Sequence, residues 1–206
     1  MKLREVKMQA LRLMHADVQI VHDAEVAGLE WDSNYGPLYA AIPAAINRCY
    51  ADLEARHVLP ISRVELTGGE GKGRWHRFSY ADLPVTVSAI ARLAVESGAY
   101  IDDDHPFVYE EEGVLRVEDY DPASRYVLYY YPALPRVWDT TKNDTQMPLP
   151  DALAEAVPWF VMSEIFRVDE PGEANDGRNH YEAMVEQYAQ QLNMRRQGAV
   201  QTVFGC

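Results

Sequence analysis

The sequence predicts an α+β protein, a small helical bundle of about four helices with an antiparallel β-sheet inserted between the second and third long helices. Three observations carry this. Apolar residues recur at helical spacing in the first sixty residues and again after residue 150. The segment between them shifts toward a two-residue period rich in Val, Tyr and Phe. The 206 residues, 48% of them hydrophobic, suffice for a core without covalent staples. The division expected is 1–60 for the N-terminal helices, 61–138 for the β insertion, 139–197 for the C-terminal helices and 198–206 for an extended tail.

Leu3, Val6, Ala10 and Leu13 share one helical face, so a first helix covers roughly residues 2–15. A polar, acidic loop to Tyr35 follows. In NYGPLYAAIPAAINRCYADLEARHVLP, the residues Leu38, Ile42, Ala45, Ile46, Cys49 and Leu53 form one stripe. Pro37 sits in the first turn and Pro60 ends the helix. Pro43 falls inside and removes one ladder bond, giving either a kink or an irregular first turn. ISRVEL and RWHRFSY read as strands joined by the glycine-rich hairpin tip TGGEGKGR. VTVSAIARLAV reads as a strand, with a helix as the alternative. FVYEEEGVLRVEDY reads as a hairpin turning near Gly113, and RYVLYYYPAL as an aromatic strand. Together these make one antiparallel sheet.

Asp151 opens the next helix, whose apolar face is Leu153, Val157, Phe160, Val161 and Phe166. Pro158 should kink it, or else mark a local break in an ordinary core helix. DEPGEANDG reads as a loop. NHYEAMVEQYAQQLNMRR is a second long helix, with Tyr181, Met184, Val185 and Tyr188 on one face. GAVQTVFGC is left as an uncharged tail.

The net charge of −13 argues against a protein that grips nucleic acid by its phosphates, which requires cations. Nine acids lie in residues 102–121 (Asp102, Asp103, Asp104, Glu110, Glu111, Glu112, Glu118, Asp119, Asp121), against Arg116 alone. A solvated surface is the plain reading of such a run. After Glu186 the sign reverses, with Arg195 and Arg196 and no acid. Cys49 and Cys206 are far apart and imply no disulfide framework, which suits a reducing cytoplasm. Neither a signal peptide nor a membrane span is expected.

No catalytic motif stands out. In TGGEGKGR the glycines are wrongly spaced for a phosphate loop, and Gly73 follows Lys72 where Ser or Thr should hold magnesium. Asp102, Asp103, Asp104 and His105 lack calcium-loop spacing. The six histidines form no zinc motif, and His57 and His76 read as ordinary histidines. Ser62, Ser88 and Ser163 lie in no nucleophile-elbow context. No cofactor, metal or catalytic residue is assigned. Tyr129, Tyr130 and Tyr131 alternate across a strand. One set should pack in the core and the other be exposed as a subunit contact, unless both faces pack within the sheet. The tail, with Val200, Val203 and Phe204 after Arg195 and Arg196, suits an extended peptide adding to a partner's sheet edge, the arginines meeting an acidic patch. The alternative is that it folds back on its own bundle.

The segments INRCYADL, YYYPALP, the D-T then LPD entry to the proline-containing helix, and the acidic turn before RNHYEAMV resemble the head-to-tail adaptor, or head completion, proteins of tailed bacteriophages. The resemblance runs over about residues 38–190. It implies a non-enzymatic structural protein of the virion neck, made in the host cytoplasm. It further implies a homo-oligomeric ring of twelve, docked on the portal and joined to a downstream neck or tail protein. DNA passes such a ring without specific binding, and no membrane is involved. On this reading Arg195, Arg196, Val200, Val203 and Phe204 contact the portal or a neighbour, and Tyr129–Tyr131 contact another subunit. Asp102, Asp103, Asp104, Glu110, Glu111 and Glu112 line a lumen that repels phosphates, or a plain surface. This chain departs from the simplest members in its larger sheet and acidic hairpin. Two other classes compete: a cytoplasmic enzyme with an unrecognised acidic site near Asp102, His105 and Glu110, and a small acidic DNA-mimicking protein.

Overall fold

The computed structural model describes residues 1–14, 36–72, 74–81, 83, 85–97, 100–111 and 113–203. The acidic loop expected before Tyr35 lies outside them, as do Gly73, Glu112, Phe204 and Cys206. The chain forms two units, Met1–Val58 with Pro135–Cys206, and Leu59–Leu134.

The first unit is helical. Helix α1 (Leu3–Leu13) buries Leu3, Val6, Ala10 and Leu11, the i, i+3, i+7, i+8 face. The Lys2 N–H donates to the Glu5 carboxylate at 2.7 Å, while Leu3 and Arg4 donate to the carbonyls of Thr145 and Asn143. A distant stretch of chain thus satisfies the donors that a helix start leaves unpaired. Helix α2 (Gly36–Ala55) runs through Pro43 and buries Ile42, Ala45, Ile46, Cys49 and Leu53.

The expected kinked helix after Asp151 is two helices, α3 (Asp151–Ala154) and α4 (Val157–Ile165). Pro158 sits in the first turn of α4, where a missing N–H costs no ladder bond. The break at Glu155 and Ala156 therefore replaces the kink. Helix α5 spans Pro171–Val203. Most of DEPGEANDG, expected as a loop, is its first two turns, because Pro171 brings a helix-ready φ to the N-terminal end. The tail expected to be extended is helical through Val203: Gly198 costs about 1 kcal/mol of propensity, which a nucleated helix absorbs. Helix α4 packs on α1, α2 and α5, with Phe160 edge-on to Tyr181 at 4.9 Å.

The second unit corrects the fold expected from sequence. It holds two four-stranded antiparallel sheets and not a single sheet. One orders β1 (Ser62–Leu66), β8 (Arg125–Pro132), β4 (Val87–Ser97) and β5 (Tyr100–Asp102). The other orders β2 (Glu70–Lys72), β3 (Trp75–Ser79), β7 (Val114–Glu118) and β6 (Phe107–Glu111). The protein is thus a sheet-rich α+β fold, not a helical bundle with one sheet inserted. The reason lies in the core. Leu66, Phe78, Leu93, Val95, Leu115, Val117, Tyr126 and Leu128, drawn from both sheets, form one cluster. Two apolar sheet faces cover each other, where a lone sheet would leave one exposed.

TGGEGKGR is not a tip joining neighbours. Strand β1 pairs with β8, whereas Glu70–Lys72 forms β2 and pairs with β3. The residues Val87–Ser97 are strand, resolving that alternative, with register shifts between Val87 and Ala89 and between Ile90 and Arg92. The expected hairpin turn near Gly113 is present, and its φ of 81° is one that glycine tolerates.

Candidate functional site

The densest polar cluster lies in the helical unit. Asp52 lies in the last turn of α2 and Arg56 just past its end, and Arg178, Tyr181 and Glu182 face them from α5. The Tyr181 hydroxyl donates to Asp52 Oδ2 at 2.6 Å, and Arg56 Nε lies 2.7 Å from the same oxygen. Arg56 grips Glu182 with both terminal nitrogens, Nη2 to Oε1 at 2.7 Å. Arg178 Nε reaches Glu182 Oε1 at 2.9 Å, its guanidinium 5.0 Å from the centre of the Phe160 ring. The fork geometry of arginine suits such carboxylate pairing.

Protonation follows from this arrangement. The hydrogen bond from Arg56 holds the Glu182 carboxyl below its ordinary range. Burial pushes the Tyr181 hydroxyl far up, with Cys49 and Asp52 adding to it. Burial likewise raises the Cys49 thiol far above its usual range, against an opposing hydrogen bond from Tyr181. A thiol that stays protonated is no nucleophile. The cluster is a clamp between α2 and α5.

The acidic run is largely committed to the β unit itself. Asp102 Oδ2 lies 2.9 Å from His105 Nδ1, and the other ring nitrogen is 3.1 Å from the Glu118 carbonyl. Asp103 pairs with Arg92 at 2.9 Å. Arg74 holds Glu118 at 3.0 Å and Asp119 through two bonds at 2.7 and 3.0 Å. Asp121 accepts from Ala123 N–H and Ser124 Oγ, closing a turn. Five of the nine acids are therefore partnered within the fold. The His105 hydrogen bond lowers the Asp102 carboxyl and the Arg74 hydrogen bond lowers Asp119. Glu110 and Glu111 lie at the end of β6, but their side chains are outside the described residues, as is Glu112.

The tyrosine run lies on β8, a strand paired on both edges, which offers no free backbone. Tyr130 is buried, Tyr129 and Tyr131 are partly buried, and Arg92 lies over Tyr129 at 4.2 Å. None of the three is fully exposed, which is nearer to the alternative of packing within the sheet than to an outward set. Arg195, Arg196, Val200 and Val203 are on α5, their side chains outside the described residues, and Phe204 lies beyond them.

His76 stacks on Tyr120 at 3.7 Å, and Tyr120 stacks on Tyr126 at 5.0 Å. Nearby, Thr67, Gly69, Glu70, Arg77, Ser79, Leu83 and Val114 line an open groove of about 430 Å³. Its lining mixes the charges of Glu70 and Arg77 with the hydroxyls of Thr67 and Ser79. Among the described residues no group of His, Cys, Asp and Glu is placed to hold a metal ion, and no helix is long and apolar enough to cross a membrane.

Sequence reasoning missed the Asp52–Tyr181 clamp. Only the i, i+4 spacing of Asp52 with Arg56 and of Arg178 with Glu182 signalled it. It also passed over Trp138, whose exposure no periodicity announces. Compared with known proteins, the chain matches no family model and no curated protein.

Proposed function

We propose that this protein is a non-enzymatic structural component of a tailed-phage neck, a head-to-tail adaptor whose copies form a ring between portal and tail. One observation carries the reading: three of the four segments quoted for the resemblance, far apart in sequence, meet in the helical unit, while YYYPALP lies on β8 of the other unit. INRCYADL supplies Arg48, Cys49 and Asp52, the segment after LPD supplies Phe160 and Glu164, and RNHYEAMV supplies Arg178, Tyr181 and Glu182. Arg48 pairs with Glu164 at 3.0 Å, Asp52 bonds Tyr181, and Phe160 meets Tyr181.

The charge supports the same reading. A net −13 per copy, multiplied around a ring, repels phosphates and lets DNA slide. The internal pairing of Asp102, Asp103, Glu118 and Asp119 assigns those acids to holding the β unit, and leaves repulsion to the chain's charge as a whole. The end of α5, basic at Arg195 and Arg196, is the element offered to the portal, as a helix rather than as an extended strand. Electron microscopy of tailed particles that carry this protein tests the proposal. The expected result is a closed ring of about twelve copies between portal and tail, coaxial with the DNA channel. A single copy per particle, or a protein absent from the particle, rejects it.

A further inference from the structure

We infer that copies of this chain pack side by side through two different patches of the helical unit, the turn at Trp138 of one copy seating on the α4–α5 turn of the next. The inference rests on the ring reading above and names the surface that would build the ring.

The first patch is an exposed indole on a rigid mount. Trp138 is 59% exposed. The residue before it is pinned: the Asn47 side chain accepts from Val137 N–H and donates to Val137 C=O, both at 2.8 Å. Trp138 N–H then donates to Thr141 Oγ1 at 2.8 Å, and Thr141 N–H returns to the Trp138 carbonyl at 2.9 Å. An indole displayed with its backbone already ordered gives up little entropy on docking, the signature of an interface anchor. Exposed Arg136 and Lys142 flank it, with Asp139 between them.

The second patch is its complement. Val168, 82% exposed, crowns the turn between α4 and α5. Close to it along the chain Asp169, Glu170, Glu173 and Asp176 are exposed, as is the cation Arg167. An apolar tip followed by acids thus answers an apolar tip flanked by cations. The patches sit at one level of α2. Asn47 holds the Trp138 turn, and the next residue, Arg48, holds Glu164 near the end of α4 at 3.0 Å. Successive helix residues point about 100° apart, so the patches lie on different sides of α2. Two different patches give a head-to-tail contact, the kind that closes rings.

The test uses the full chain in a C206S background at millimolar concentration. Two single variants, D139C and R167C, which leave Trp138 and Val168 in place, are joined with a short bismaleimide. The contact predicts a mixed dimer when the two are combined, monomer when either is alone, and a covalent ladder from the double variant. Strong homodimerisation of D139C alone, or no mixed dimer, overturns it. Independently, R136E/K142E should weaken self-association in sedimentation by at least about tenfold, with D169K/E170K in the same chain restoring it. Failure of that rescue also overturns the contact. A ladder that grows without a closed terminal species would refute the ring and leave the contact standing. Rings in particles that give no cross-link between positions 139 and 167 would refute the contact alone.

Discussion

Replacing Tyr181 by Phe probes the clamp that joins α2 to α5. The ring of Tyr181 is fully buried, so Phe keeps the packing and removes one hydroxyl. What is lost is the 2.6 Å bond to Asp52. A hydrogen bond to a charged group contributes about 1.5–3 kcal/mol. Asp52 keeps Arg56 at 2.7 Å and Arg178 at 3.6 Å, and its side chain is 24% exposed, so the lower end applies. The expected loss is about 1.5 kcal/mol, which for a chain near this length lowers Tm by roughly 3–6 °C. Circular dichroism at 222 nm reads it, because the described helices belong to the unit that holds the clamp. Asp52→Asn retains an acceptor for Tyr181 but surrenders the charge that faces both arginines. The two changes should therefore couple when combined, each removing part of the same interaction. A Tyr181→Phe protein within about 0.5 kcal/mol of the parent would show that the hydroxyl is as well solvated unfolded as it is bonded here, and the clamp would cease to account for the helix pairing.

Four further outcomes are expected. The folded chain retains protons on Cys49 and Tyr181 that the unfolded chain gives up near 9.0 and 10.0, so the helical unit should be fully stable below pH 9 and lose stability as pH rises beyond it. Urea titration at several alkaline pH values checks this, and a flat profile contradicts it. The carboxyls of Asp102, Asp119 and Asp121 are held below 3.8, so their contribution to the β unit is complete above that pH and disappears as acid takes them through their folded values; carbon NMR of a His105→Ala protein should show Asp102 moving back up toward 3.8. A Cβ on Gly177 would meet the Trp159 carbonyl oxygen at 3.0 Å and Ser163 N at 3.3 Å, so Gly177→Val should force α4 and α5 apart and cost about 2 kcal/mol, visible as a lowered urea midpoint. Replacing Asp102, Asp103 and Asp104 together by Asn should leave the chain folded and indifferent to chelator; unfolding on chelation would reinstate a metal site.

Much of the helical unit was legible because its signals are local. Ile42, Ala45, Ile46, Cys49 and Leu53 repeat at helical spacing, and a face of that kind is buried whatever it packs on. Most strands were legible from alternation, as in Leu115 and Val117 or Tyr126 and Leu128. What could not be read was which strand joins which. Ser62–Leu66 and Trp75–Ser79 look like hairpin partners, yet one pairs with β8 and the other with β2 and β7. Pairing is decided by which apolar faces can cover one another, and alternation is the same in one sheet as in two.

The sequence by itself determined the helical faces, the acidity and the turn at Gly113, since each is carried by residues close along the chain. Tertiary structure alone decided the rest. It split the strands between two sheets and turned Pro158 from a kink into a helix start. It matched Arg74, Arg92 and His105 to four particular acids of the run, Asp102, Asp103, Glu118 and Asp119. It also joined Asp52 to Tyr181 across 129 residues and left Trp138 outside on a pinned turn. Partnership and exposure depend on distances between residues remote in sequence, and no local pattern encodes those distances.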